Sequence, residues 1–134
     1  MSNRSMPLGT IIPCLSYPDV AEAVEWLESA FGFRERLRVG DHRSQMVLGD
    51  GSIVVVAGTA ESPAGHSVMV RVDDVAAIHR RAADHGARVI EPPTDHAYGE
   101  RQCTVVDPGG HVWTFSESIA DVDPADWGGM LRDG

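Results

Sequence analysis

Three groups of side chains in this sequence could do chemistry. Six histidines (His42, His66, His79, His85, His96 and His111) could offer imidazole nitrogens to a metal ion or a proton. Two thiols, Cys14 and Cys103, lie far apart and match neither a metal-ligand spacing nor a CxxC motif. The stretch EPPTDHAYGER (Glu91–Arg101) gathers Tyr98, Glu100 and Arg101: a ring with a hydroxyl, a carboxylate, and a planar fork for anionic groups. It reads as a long loop, the usual seat of recognition groups on a rigid sheet. For Glu100 and Arg101 the competing reading is a surface ion pair of little consequence. His42, His79, His85 and His96 read as loop or helix-surface residues. A thiol at Cys14 would be reactive only beside a positive group, and no such neighbour is identifiable.

The elements that must hold these groups follow from pattern. With 134 residues the chain is one domain, burying roughly two-thirds of its unfolded surface. Net charge is −9 with the basic residues scattered, which excludes nucleic acid and anionic membrane as expected partners. Residues 119–134 carry Asp121, Asp123, Asp126 and Asp133 against Arg132 alone, an acidic solvated tail. The N-terminal MSNRSMPLGT has no apolar core segment, and no apolar run is long enough to span a bilayer. A soluble cytoplasmic protein with reduced thiols is expected.

TIIPCLSY (Thr10–Tyr17) is β-rich and closed by Pro18. Asp19 with Glu22 forms a capping box, and Val20, Ala23, Val24, Leu27, Ala30 and Phe31 recur at helical spacing before the stop at Gly32. FRERLRV, SQMVLG and SIVVVAG are strand candidates, the last two joined at Asp50-Gly51. The order then restarts. SVMVRV (Ser67–Val72) is a strand, and Asp74-Val75 opens a helix with Val75, Ile78 and Ala82 inward and Gly86 at its end. RVIEPP, RQCTVV and HVWTFS follow as strands, the last after the turn DPGG. Asp19-Val20 recurs as Asp74-Val75, 55 positions on, and Gly32 as Gly86, 54 positions on. Such a repeat sets the architecture. Two βαβββ modules are expected, at about 10–58 and 66–118, with a linker over 59–65.

In three stretches the chain resembles the vicinal-oxygen-chelate superfamily, which includes glyoxalase I, extradiol dioxygenases and bleomycin-resistance proteins. They are YPDVAEAVEWLESAFGF, VRVDDVAAIHRRAADHGARV and YGERQCTVVDPGGHVWTF, and the resemblance covers residues 10–117. It implies an α+β fold of two βαβββ modules forming an open barrel-like cup, usually in a homodimer, with a ligand in the cup and the Glu91–Arg101 segment near its mouth. In metal-binding members four strand positions point His, Glu or Gln inward. Counted from the helix-opening aspartates and the turn glycines, those positions are Ile12, Val55, Ser67 and Thr114. A divalent site needs three or four N, O or S donors at about 2.0–2.2 Å, and this set does not supply them. His66 and His111 lie one and three positions from Ser67 and Thr114, on the opposite strand face, where only a β-bulge would re-aim them.

Strand alternation then assigns Ile12, Cys14 and Ser16, Ile53, Val55 and Ala57, Ser67, Met69 and Arg71, and Val112, Thr114 and Ser116 to the cup. Trp113 and Phe115 fall beneath the helices, and Trp127 reads as an anchor in the tail. The cup so described is mostly apolar with sparse polar contacts, suited to a small organic molecule. Its expected ligand contacts are Cys14, Ser67, Met69, Tyr98, Arg101 and Thr114, with no metal and no cofactor, in a homodimer. No catalytic residue is identifiable. The alternatives are a metal-free acid/base enzyme using Tyr98 or Glu100, and a metal-dependent lyase or dioxygenase with displaced ligands among His66, His111 and Glu100.

Overall fold

The computed structural model describes residues 3–7, 9–59 and 66–131. Its elements run β1 (Cys14–Tyr17), α1 (Val20–Phe31), β2 (Arg34–Val39), β3 (Arg43–Leu48), β4 (Gly51–Ala57), β5 (Val68–Arg71), α2 (Val75–Asp84), β6 (Arg88–Asp95), β7 (Glu100–Val106) and β8 (Val112–Ser118). A short 3-10 helix, Pro124–Trp127, follows in the tail. The expected linker falls largely outside the described residues.

Both helices start where their caps dictate. Asp19 accepts the Glu22 amide at 3.0 Å and Asp74 the Ala77 amide at 3.0 Å, each satisfying a donor the first helical turn cannot pair. Gly32 ends α1 at φ +81°, a left-handed cap that glycine adopts without strain. Each module folds into one mixed sheet, in the orders β1-β4-β3-β2 and β5-β8-β7-β6. The β1–β4 and β5–β8 pairs are parallel and the other neighbours antiparallel. Two βαβββ modules in an α+β fold are therefore present, and the sheets do not close into a barrel. No helix among the described residues is long and apolar enough to cross a membrane.

The helix-bearing sides of both sheets share one core. Leu15, Met46, Ile53 and Val55 from the first module join Cys103, Val105, Trp113 and Phe115 from the second. Phe31 of α1 sets its ring edge-on to Trp113 and Phe115, with centroids 5.1 and 5.0 Å away, a favoured aromatic geometry. The helices also finish each other. Arg81 of α2 donates to the Ser29 carbonyl (2.8 Å) at the end of α1, and Trp26 of α1 donates to the His85 carbonyl (2.8 Å) at the end of α2.

Two expectations about element bounds change. The first strand begins at Cys14, so Ile12 precedes it. The Glu91–Arg101 segment is not one long loop: β6 runs to Asp95 and β7 begins at Glu100, leaving a turn at 96–99. Pro92 and Pro93 are accommodated because they lie on an edge strand where its register is interrupted, between the Glu91–Thr104 and Thr94–Gln102 pairs.

Candidate functional site

Strand register decides which side chains leave the core. In the second module Met69 pairs with Thr114, Arg71 with Ser116, Thr104 with Thr114 and Gln102 with Ser116. These alternate with the buried Trp113, Phe115, Cys103 and Val105, so they line the face turned away from α2. That face is open, with Met69 63% exposed.

Its polar groups are joined head to tail. The Tyr98 hydroxyl donates to Gln102 Oε1 (3.0 Å), Gln102 Nε2 to Ser116 Oγ (3.0 Å), and Ser116 Oγ to Glu100 Oε1 (2.7 Å). Hydrogen bonds from Ser118 and Ser116 hold the Glu100 carboxyl below the usual glutamate range, and the charge of Arg71 adds to them. Arg71 itself donates to Ser118 Oγ at 3.1 Å. The Thr104 and Thr114 hydroxyls share a hydrogen bond of 3.0 Å. At the rim Tyr98 stacks on His96 (centroids 5.1 Å, planes 11° apart) and meets Trp127 edge-on at 5.5 Å. The tail is held to this rim because the Ile119 and Ala120 amides both donate to the Gly99 carbonyl. A Cβ at residue 99 would stand 2.3 Å from the Ala120 carbonyl oxygen, so only glycine lets the turn and the tail approach.

Of the six expected ligand contacts, Met69, Thr114 and Tyr98 come together on or beside this face. Ser67 is exposed just ahead of β5. Cys14 lies on the first sheet, opposite the buried Leu15 and Tyr17. Arg101 alternates away from Gln102 and pairs with Asp95 at 2.6 Å. Gln102 and Thr104 went unremarked in the sequence, although the alternation in ERQCTVV marks them.

The equivalence between modules corrects one cup position. Cys14 and Met69 each stand five residues before a helix-capping aspartate, and their partners are Val54 and Thr114. Val54, rather than Val55, is thus the counterpart of Thr114. Val55 pairs with Leu15 and is fully buried in the core, and Ile53 follows it there. Counting from the turn glycines failed because the turns differ. Gly51 already pairs with Leu48 as a strand residue, whereas Gly110 is still in the turn at φ +87°.

The family's metal can be tested against this donor set. Val54 has no donor atom, and the Thr114 hydroxyl is engaged by Thr104. Among the described residues no three His, Cys, Asp or Glu gather to hold a metal ion. His66 is exposed ahead of β5, while His111 is buried on the core side with Nε2 donating to the Ser16 carbonyl at 2.6 Å. These residues do not fit a divalent metal.

A second polar cluster joins the modules. Asp107 receives the Tyr17 hydroxyl (2.5 Å), Trp113 Nε1 (3.0 Å) and the amides of Gly109 and His111. Burial, then the Asp107 charge, pushes the Tyr17 hydroxyl pKa far up, so it remains a donor. An apolar cleft of about 560 Å³ also lies between the modules, lined by Phe31, Phe33, Val68, Val70, Trp113 and Phe115. It reaches the edge strand β5, where Met69 and Arg71 also border it.

The same arrangement recurs in solved structures. TioX from Micromonospora sp. ML1 superposes with a TM-score of 0.70 at 32% identity, over 83% of this chain and 99% of that one. A glyoxalase/bleomycin resistance protein/dioxygenase family enzyme from Burkholderia phytofirmans PsJN gives 0.73 at 18% identity, over 81% and 97%. The uncharacterized protein Rv0887c of Mycobacterium tuberculosis (strain ATCC 25618 / H37Rv) is 26% identical over 128 residues, 83% of this chain and 75% of that protein. With residues 10–115 also matching its sequence profile, the chain belongs to the glyoxalase/bleomycin resistance protein/dioxygenase superfamily.

Proposed function

We propose that this chain is a cytoplasmic, metal-free member of its superfamily that binds a small organic molecule on the open face of the second sheet. The observation that carries this reading is the chain of hydrogen bonds from Tyr98 through Gln102 and Ser116 to Glu100. Every donor in it points toward the carboxylate, so the Tyr98 oxygen is left to accept. A ligand with an apolar or aromatic body and one O–H or N–H group suits it, packed along Met69 and the Thr104–Thr114 pair. Glu100 supports binding over proton transfer, since a carboxylate with a lowered pKa is a weak base.

The exposed side chains at this face support the homodimer. Met69 on this face is 63% exposed and Trp127 at its rim is 47% exposed. Leaving apolar surface in water costs about 25 cal/mol per Å². A second copy related by a twofold would cover it and complete the cup.

The test uses 2-naphthol, a planar aromatic with one O–H donor, followed by tryptophan fluorescence. Saturable quenching is expected in the wild type and in Trp26→Phe. Thr114→Trp should abolish binding by filling the face while circular dichroism stays unchanged, and Tyr98→Phe should weaken it about tenfold. Unchanged binding in Thr114→Trp would sink the assignment. Sedimentation as a monomer at micromolar concentration would sink the dimer.

A further inference from the structure

A pocket of about 140 Å³ lies on the helix side of the first module, where the two modules meet. Its floor is formed by Tyr17 and Ala23, both buried, and the half-buried Trp26. Pro18 stands on one side, and Pro108 and Gly109, from the turn before β8, close the other. The exposed carboxylates of Asp19 and Glu22 stand at its mouth. Tyr17 shares the core-facing side of β1 with Leu15, so this pocket is separate from the outer faces of both sheets.

The floor is fixed before any ligand arrives. Asp107 accepts the Tyr17 hydroxyl, and the His111 ring packs 4.8 Å from the Tyr17 ring. Trp26 is clamped twice, by the bond from its Nε1 to the His85 carbonyl and by an edge-on contact with Phe31 at 5.0 Å. A Cβ at residue 109 would stand 2.5 Å from Tyr17 Cδ1, so glycine there leaves the ring its place. Preformed walls spare a ligand the cost of ordering them. Glu22 and Trp26 are four residues apart on α1, which sets a carboxylate beside an indole on one side of the helix. Among the described residues no ion pair engages Asp19 or Glu22, and no basic side chain lines the pocket. Aromatic rings beside carboxylates attract a cation that carries apolar surface.

We propose that this pocket is a binding site for a compact organic ammonium ion, an aryl or alkyl amine with one ring or a short chain. Volume sets the size, since a dry cavity of about 150 Å³ admits benzene and this one holds about 140 Å³. The ring or chain fills the space between Tyr17, Ala23 and Pro108, and the ammonium stays at the mouth between Glu22 and Trp26. Asp19 adds charge while its Oδ1 keeps the Glu22 amide. Because the walls come from both modules, the ligand binds only the docked pair and stabilises it. The site does not rest on the function proposed for the second sheet.

The probe is benzylamine, a cation at neutral pH, with benzyl alcohol as its uncharged counterpart. Each is titrated into the full-length protein while NMR follows the Trp26 Nε1–H signal, identified by its loss in Trp26→Phe. Saturable movement of that signal is expected with benzylamine. Benzyl alcohol should bind about fivefold more weakly, the loss expected when a cation's contacts to a ring and a carboxylate are removed at a half-exposed site. Glu22→Gln keeps the backbone cap, and it should weaken benzylamine about threefold while leaving benzyl alcohol unchanged. No saturable movement of the Trp26 signal at millimolar benzylamine would overturn the site. Equal affinity for the two probes, or benzylamine binding unaltered in Glu22→Gln, would overturn the ligand class.

Discussion

The two modules share strand order, helix caps and the parallel pairing of their first and last strands, yet treat their outer faces in opposite ways. The first keeps Gln45, Ser52 and Val54 buried, with Gln45 donating to the Ser5 carbonyl and Arg36 to the Arg4 carbonyl of the N-terminal segment. The second leaves Met69, Arg71 and Thr114 open or half-open and wires its polar groups to one another. Backbone topology is thus indifferent to what the faces do. Two kinds of donor decide it: Arg36 and Gln45 reach outward to carbonyls on another segment, while Tyr98 and Gln102 are spent within their own sheet.

The largest effect should come from cutting the contact that holds the unlike halves together. Asp107→Ala strands the Tyr17 hydroxyl and Trp113 Nε1 in the core, and each buried donor left unpaired costs about 1–3 kcal/mol. Urea denaturation should show a loss of about 3–5 kcal/mol. A loss under 1 kcal/mol would mean that the modules are held by aromatic packing alone.

Next comes the contrast between two strand positions, one in each module, that the sequence assigned to one cup. Val55→Ala should cost about 2 kcal/mol because the side chain is wholly in the core, while Thr114→Ala should cost under about 1 kcal/mol. Equal losses in the same urea experiment would contradict the register. The smallest effect tests the wiring itself. Ser116→Ala removes a donor to Glu100, so the Glu100 carboxyl should titrate higher when followed by carbon-detected NMR. A carboxyl whose pKa is lowered on folding stabilises above its unfolded pKa and loses that contribution as pH falls through the folded one. The variant should therefore differ from wild type at neutral pH and converge with it in acid. An unmoved Glu100 would assign the lowered pKa to Ser118 and Arg71 alone.

Much of this fold was legible because it is local. Asp19, Asp74 and Gly32 act through hydrogen bonds within one helical turn, and Phe31, Trp113 and Phe115 follow from periodicity. The second-sheet face was partly legible, since alternation placed Met69, Thr114 and Ser116 correctly. Val55 was misplaced because register depends on turn length, and the two turns differ in where the strand resumes. The Asp107 cluster and the bond from Gln45 to the N-terminal segment were invisible for another reason. Tyr17 and Asp107 are 90 positions apart, and Ser5 and Gln45 are 40. No periodicity relates groups that meet only when modules or termini dock.

The crossed helix ends, where Arg81 serves α1 and Trp26 serves α2, bear on how the protein is made. While the ribosome still holds the second half, α1 ends in carbonyls with no side-chain donor, since its own last turn carries no basic residue. Phe31 meanwhile has neither Trp113 nor Phe115 to pack against. A truncated product of premature termination would present a helix end lacking its Arg81 donor beside an aromatic ring lacking two of its packing partners, a profile that chaperones and proteases engage. Completion of α2 and β8 closes both defects at once, so the finished chain should fold as one cooperative unit despite its duplicated plan.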